Sequence, residues 1–397
     1  MKAMPTHVLI IVENLPVPRD YRVWLIATTL KSKGYEVTVV SPSDDRAPKG
    51  VYRKDGVLMI RHKLYQAKSW LGYAREYAEA LLRERAIIKK IYAKKPFQVM
   101  HVCDPPDLLY LLAKPYKKKG VKLVFDHHDL SPELILAKRN VTSYAELGFL
   151  FKVMYKLLLR FESKSVKSAD IVLTTNASYQ NIELARDGLV PGKSFVVRSG
   201  LRREELIQNR EAACSNVPRL VYIGVMARQD GVDILLKALA IVKEKQMRVS
   251  LKLLGDGPEF ENLKALAKKL NIESETEFLG FVQKAKAKEI LLASDIGITP
   301  DPKTPMNDNS TMLKTLDYMA AGLPQVLFDL KEHRATCKDA AYYVEPSSPE
   351  ALAEGIITLS NSPELRDALS QRSLARSWEL AWEGDGEPRL LEAYSKA

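Results

Sequence analysis

The chain has 397 residues, of which 46% are hydrophobic and 27% charged, an ordinary globular composition in a length too great for one hydrophobic core. Its cysteines, Cys103, Cys214 and Cys337, lie far apart, which argues against a disulfide framework or a paired-cysteine zinc site and fits a reducing cytoplasm. The net charge of +11 is uneven: residues 1–200 hold 34 Lys and Arg against 19 Asp and Glu, and residues 201–397 hold 26 against 30. Such asymmetry points to a polyanionic surface met by the first half, a membrane leaflet or nucleic acid.

The opening MKAMPTHVLIIVEN has its apolar run broken at Glu13, so no signal segment is expected, and no window has the eighteen or more apolar residues of a membrane span. HVLIIVEN (7–14) reads as a buried strand, 21–33 as a helix stopped by Gly34, and EVTVVSP as a second strand, the β-α-β start of a doubly wound sheet. A strand pair is expected over 51–65 and a long helix over 70–94. QVMHVCD (98–104) and VKLVFDHHD (121–129) read as further strands, and residues 147–167 as a helix that is apolar on one side and basic on the other. ADIVLTTN and SFVVRSG complete a first domain, 1–200. Residues 201–217 lack periodicity and read as a linker. A second β-α array follows over 218–375: strand 219–224, helix 231–246, strand 249–254, helix 259–270, strand 275–280, helix 284–293 and strand DIGITP. The helical C-terminus, 376–397, is expected to strap back on the first domain. The fold class is α/β, with two Rossmann-like domains facing a central cleft.

The most informative stretch is NDNSTMLKTLDYMAAGLPQV (307–326). Ser310 reads as an N-cap, and Gly322 and Pro324 as stop signals. Met312, Leu316, Met319 and Leu323 form one stripe, while Ser310, Lys314 and Asp317 fall on another face. Helix-start amides, a cation one turn in and a carboxylate further along suit a nucleoside diphosphate, with phosphates at the start and ribose on Asp317. The same pattern also fits a surface helix with a Lys314/Asp317 pair.

Elsewhere, the loop after the first strand carries Arg19 and Asp20 and lacks a G-x-G-x-x-G, which disfavours a nicotinamide or flavin dinucleotide. FDHHDLSPE sets Asp126, His127, His128 and Asp129 at a strand end, where open α/β sheets bind ligands. Adjacent residues of a strand point oppositely, so His127 and His128 do not share one metal ion. GDGP at Gly255 allows close backbone approach, and Phe281 and Val282 sit at the next strand end, near where a planar base would bind. Basic elements at 83–95, 114–122 and 152–167 interleave Lys and Arg with apolar residues and fit an anionic membrane surface; no RNA-binding module is present, so nucleic acid is not expected as a partner.

Taken in order, PRDYRVWLIATTLKSKGYEVTVVSP, FDHHDLSPEL, YIGVMARQDGVDILLKAL, LLGDGPEFENLKALA, EFLGFV and NDNSTMLKTLDYMAAGLPQV resemble the family 4 glycosyltransferases of GT-B fold. The resemblance implies retaining transfer from a nucleotide sugar, UDP favoured over GDP, to a lipid-linked or saccharide acceptor in polysaccharide or glycolipid assembly. It implies no cofactor and no metal held by the enzyme, and a location on the inner membrane face. The donor is expected on the second domain, with Gly224, Gly255, Phe281, Val282, Asp308, Ser310, Thr311, Met312 and Asp317. Arg19, Asp20, Asp126 and Asp129 fall on the acceptor side. Catalytic roles are implied for His128, Lys314, Arg228 and Asn309. The family's Glu-x7-Glu pair maps to Asn309 and Asp317, with Asp308 one residue out of register. Its Arg and Lys that clamp the diphosphate are replaced by Val225 and Asp230, so Arg228 and Lys314 are the expected substitutes. A nucleotide-sugar epimerase of the same fold and a nucleotide-sugar-binding scaffold remain alternatives.

Overall fold

The computed structural model describes residues 5–63, 70–139, 141–186, 188–210 and 217–397. Cys214, with the rest of 211–216 in the expected linker, lies outside them. The chain forms two compact units: residues 1–134, 148–199 and 386–397 make unit 1, and residues 135–147 and 200–385 make unit 2.

Unit 1 begins β1 (His7–Ile11), α1 (Tyr21–Ser32), β2 (Glu36–Ser43), β3 (Gly50–Lys54), β4 (Val57–Lys63) and α2 (Trp70–Lys94). It continues with β5 (Val99–Cys103), α3 (Tyr110–Lys117), β6 (Lys122–His127) and α4 (Ser131–Arg139), whose second half belongs to unit 2. Then come α5 (Phe149–Ser168), β7 (Ile171–Thr174), α6 (Ala177–Arg186) and β8 (Ser194–Val196). The strands run β3-β4-β2-β1-β5-β6-β7-β8, parallel except for the β3/β4 pair. Central strands such as HVLII and VMHVC are buried at every position, as parallel strands covered by helices on both faces must be.

Unit 2 follows the same plan with β9 (Arg219–Ile223), α7 (Val232–Glu244), β10 (Ser250–Leu254), α8 (Phe260–Lys269), β11 (Thr276–Gly280) and α9 (Lys284–Ala293). It continues with β12 (Ile296–Thr299), α10 (Leu313–Ala320), β13 (Gln325–Phe328), α11 (Lys331–Cys337), β14 (Tyr342–Val344), α12 (Pro349–Asn361) and α13 (Pro363–Glu379). The last helix, α14 (Gly386–Ser395), packs on α1, β7 and β8 of unit 1, so the chain joins that unit at 386 rather than 376. All pairings in the second sheet, β11-β10-β9-β12-β13-β14, are parallel, and its order reverses between β9 and β12. Such a reversal leaves a crevice at the strand C-termini, the usual ligand site of an open α/β sheet.

Residues 200–210, expected as linker, are part of unit 2, where the Arg210 guanidinium donates to the carbonyls of Ala321 (2.8 Å), Leu291 and Ser294. Tyr318 of α10 holds that helix over the reversal. Its buried hydroxyl donates to Ile298 O of β12 (3.1 Å) and accepts from Ile223 N–H at the end of β9 (3.1 Å). Its ring fits because residue 297 has no side chain: a Cβ there would lie 2.8 Å from the ring. Tyr318→Phe strands a buried carbonyl and a buried N–H, so we expect a loss of about 1–3 kcal/mol in urea unfolding, with secondary structure unchanged.

Candidate active site

In unit 2, glycines let the loops beyond β9 and β10 meet. Gly255, at φ +134°, has Gly224 O where a Cβ would stand, 1.8 Å away, and the loops are zipped by hydrogen bonds from Met226 N to Asp256 O and from Glu259 N to Met226 O, each 2.9 Å. Lys314 reaches into this place from α10. Its ammonium donates to both Asp301 oxygens (2.7 and 2.8 Å), stands 3.8 Å from Asp230, and lies over the Tyr222 ring. Asp301 follows β12 and Asp230 follows β9, so the triplet sits at the reversal of strand order. Burial pushes the Asp230 carboxyl up to about 6, against the pull of Lys314. Lys314 is therefore a compensated, buried cation rather than one standing open. Arg228, on the 3-10 turn Arg228–Asp230, has a side chain 71% exposed and meets Glu259 at 3.3 Å.

The structure corrects the start of the helix. Residues Asn307–Asn309 form a separate 3-10 turn, and α10 runs only from Leu313, capped by Met312 without a side-chain bond. Ser310 is not the N-cap: its hydroxyl donates to Met306 O (2.8 Å) and its N–H to Asn307 O (3.2 Å). The amides without an acceptor among the described residues are those of Met312, Leu313 and Lys314, so the anion-binding end moves two residues on. Asp308 is engaged elsewhere, accepting from Lys331 N–H (2.9 Å) at the start of α11. Asn309 donates to Pro305 O (2.8 Å) and accepts from Lys331 Nζ (3.4 Å), and Thr311 donates to Glu332.

Asp317 makes no side-chain hydrogen bond or ion pair among the described residues, although it is half-buried. Burial is the main cause of its rise to about 6, opposed by Lys284 and reinforced by Glu205. A raised carboxyl destabilises the fold as pH climbs from the usual value near 4 through about 6, because the folded state alone retains the proton in that window. Phe281 is exposed just past β11, while Val282 packs partly buried on the cluster around Leu254 and Tyr318.

In unit 1, Asp126 is fully buried at the end of β6 and gathers three partners. The Arg22 guanidinium donates to it through Nη2 (2.6 Å) and Nε (3.1 Å), His128 Nε2 lies 2.8 Å away and His101 Nε2 3.3 Å. Arg22 also donates to Val197 O (2.6 Å), and His101 Nδ1 meets the Tyr394 hydroxyl of α14 (2.7 Å). Burial opposes charge on both sides, but Arg22 and His128 outweigh it and hold Asp126 well below the carboxylate range. Asp126 in turn raises His128 against the opposing effect of burial. Asp126 fixes His128 Nε2 and leaves Nδ1 without a partner among the described residues. His127 turns away, to Glu183 (2.6 Å), Asp104 (3.6 Å) and Glu162 (3.7 Å), so the two histidines do not converge.

The other residues expected on the acceptor side have local partners or are partly covered. Asp20 is the buried N-cap of α1, accepting from Val23 N–H (3.0 Å), and Arg19 is paired with Asp44. Asp129 is half-buried next to His128.

Residues 21–205 match the profile of Glycosyltransferase Family 4, and residues 204–376 that of Glycosyl transferases group 1. The chain belongs to the group 1 glycosyltransferases of GT-B fold. An uncharacterized glycosyltransferase of Haemophilus influenzae is 29% identical over 179 residues, 42% of this chain and 46% of that one, so the match spans under half of that curated relative. Sucrose-phosphate synthase from Thermosynechococcus elongatus superposes with a TM-score of 0.80 at 17% identity, over 98% of each chain. Anabaena HepE, solved in complex with UDP, gives 0.70 at 14% identity, over 99% of this chain and all of that one.

Within this glycosyltransferase, Arg22, His101, Asp301 and Tyr394 were not picked out from the sequence. Asp301 had a signal, since a carboxylate directly follows the apolar strand DIGITP; the others act through partners distant in sequence. Removing one side of the Arg22/Asp126 pair leaves a buried charge, so Asp126→Asn is expected to cost about 3–5 kcal/mol in denaturant unfolding at neutral pH. The pH profile carries two opposite signs. The Asp126 contribution is present above the usual carboxylate value and lost as pH falls through its depressed folded value. The His128 contribution is full below about 6.5 and lost as pH rises through its raised folded value, so His128→Gln should flatten the alkaline decline.

Proposed function

We propose that this glycosyltransferase moves a sugar, with retention, from a nucleoside diphosphate sugar bound on unit 2 to an acceptor met by unit 1. The observation that carries the reading is the half-buried Asp317, without a hydrogen bond or ion pair among the described residues, one turn beyond helix-start amides that find no acceptor among them and a buried lysine. The amides suit the diphosphate, the Asp317 carboxylate suits a ribose diol, and exposed Phe281 offers a face to a base. UDP is favoured as the nucleotide because HepE, a structural relative, was solved with it. The donor's own phosphate oxygens would assist acceptor deprotonation on the same face, while the amides, Arg228 and Lys314 stabilise the departing diphosphate. Those groups do this without a metal ion. His128 offers Nδ1 for a hydrogen bond to a sugar hydroxyl.

The acceptor is proposed to be lipid-linked, reached from an anionic membrane surface. No helix of the described residues is long and apolar enough to cross a membrane. On α5, Phe149 (85% exposed), Val153 and Leu157 stand in solvent on one face at four-residue spacing, with Lys152, Lys156 and Arg160 on the same side. The opposite face, at Glu162, Ser165 and Val166, is buried, with Ser165 bonded to Asp107 O. An apolar stripe flanked by cations suits the interface of an anionic leaflet, where each basic residue contributes about 1 kcal/mol. A scaffold that binds nucleotide sugar without transferring is the second reading, favoured by the two carboxylates already engaging Lys314.

Titration calorimetry with UDP tests the donor site. Asp317→Ala is expected to weaken binding by roughly 1.5–3 kcal/mol, the range for a hydrogen bond to a charged group. Because Asp317 titrates at about 6, wild-type affinity should rise with pH through that value, and Asp317→Asn should abolish the rise. Unchanged affinity in both variants overturns the assignment. Sedimentation with phosphatidylserine vesicles tests the surface: binding should fall steeply with salt and be lost in Phe149→Ser/Val153→Ser, whereas insensitivity to both overturns it.

A further inference from the structure

A second group of buried ionisable side chains lies in unit 1 and shares no residue with the Asp126 network. Glu13 stands two residues past β1, His62 on β4 and Glu84 in the middle of α2. The register of β1, β2 and β4 brings the first two together: Val12 N–H bonds to Val40 O, and His62 pairs with Pro42. α2 lays Glu84 against them. All three are buried, Glu84 completely.

One donor atom from each residue lies within 4.8 Å of the other two. His62 Nε2 is 2.9 Å from Glu13 Oε1 and 4.0 Å from Glu84 Oε1. Both Glu84 oxygens and Glu13 Oε2 are buried without a hydrogen-bond partner among the described residues. Two carboxylates taken out of water, facing one imidazole among the described residues, leave a charge deficit that burial makes costly. Burial and the neighbouring Glu13 accordingly push the Glu84 carboxyl well above its usual range.

We infer that Glu13, His62 and Glu84 form a binding site for one divalent transition-metal cation, Zn²⁺ or Mn²⁺, that ties the β1 loop, β4 and α2 together. Two carboxylate oxygens and one imidazole nitrogen are a donor set such ions accept, at about 2.0–2.2 Å from the metal for Zn²⁺. Ligand atoms around such an ion stand roughly 3–4 Å apart, and His62 Nε2 lies 2.9 and 4.0 Å from the facing glutamate oxygens. His62 Nδ1 faces Lys63 O at 3.4 Å, which leaves Nε2 as the lone-pair nitrogen toward the two glutamates. The cation supplies the charge that the two carboxylates lack, and its role is structural, apart from the sugar-transfer site on unit 2.

The test uses the full chain, stripped with chelator and dialysed, then titrated with Zn²⁺ and with Mn²⁺ by calorimetry, with metal content measured after gel filtration. We expect one ion per chain for at least one of the two metals and a rise in melting temperature on loading. Glu84→Gln, which keeps the volume and removes the charge, should weaken that binding on the order of 100-fold or more. Co²⁺ loaded into the unaltered protein gives a readout independent of any variant's folding: a ligand-field spectrum of nitrogen and oxygen coordination is expected, and an aqua-ion spectrum overturns the site. Absence of stoichiometric uptake of either metal overturns the inference. So does a Glu84→Gln protein that binds as the wild type does. A metal-free wild type less stable than Glu84→Gln and indifferent to both ions would identify a carboxyl pair sharing a proton, which also overturns the inference.

Discussion

A charge taken out of water at a strand end must meet its opposite on a neighbouring element, and this constraint organises both units. In unit 2 the Lys314 ammonium closes on Asp301 and stands near Asp230, so α10 is tied to the loops after β12 and β9. In unit 1 the Arg22 guanidinium closes on Asp126, tying α1 to β6 and, through Val197, to the end of the sheet. Neither pair is a surface ornament worth a few tenths of a kcal/mol; each is buried, and loss of one partner strands the other.

The same constraint explains why the site residues are held still. His128 is oriented because Asp126 has already been fixed by Arg22 and His101, and His101 is fixed by Tyr394 from the last helix. The C-terminal helix therefore reaches the chemistry of unit 1 through two hydrogen bonds, without touching a ligand. In unit 2 the glycines at 224 and 255 let two loops close on each other, and Tyr318 fixes α10 between β9 and β12. The freedom of glycine and the rigidity of a buried tyrosine act on the same few ångströms.

Much of this was legible from local pattern. The helix expected over 70–94 and that over 284–293 have those limits in the structure, because apolar periodicity and flanking turn residues act on the chain nearby. Family motifs drew attention to His128 and Asp317, whose roles are proposals. What sequence could not show was the destination of side chains. Arg22 and Asp126 are 104 residues apart, and Asp20 sits in the same short loop yet only caps a helix. The start of α10 was misread for a local reason: Ser310 is a good cap in isolation, but its hydroxyl turns back to Met306 and closes a separate turn. Two polar turns competed for one stretch, and sequence alone did not rank them.

That two-residue shift changes the electrostatics of the site. Were Ser310 the cap, its hydroxyl would occupy a helix-start amide; with Met312 there instead, the amides of Met312, Leu313 and Lys314 stay open. This matters because the fixed charges nearby do not favour an anion. Lys314 faces both Asp301 and Asp230, so the triplet carries net negative charge whenever Asp230 is ionised, and Asp230 titrates at about 6. In the proposed donor site, a diphosphate would be held by the helix-start amides and the exposed Arg228 more than by the lysine. On that proposal, the uncapped first turn of α10 would offset the Asp230 carboxylate that stands where the family resemblance expects a basic residue.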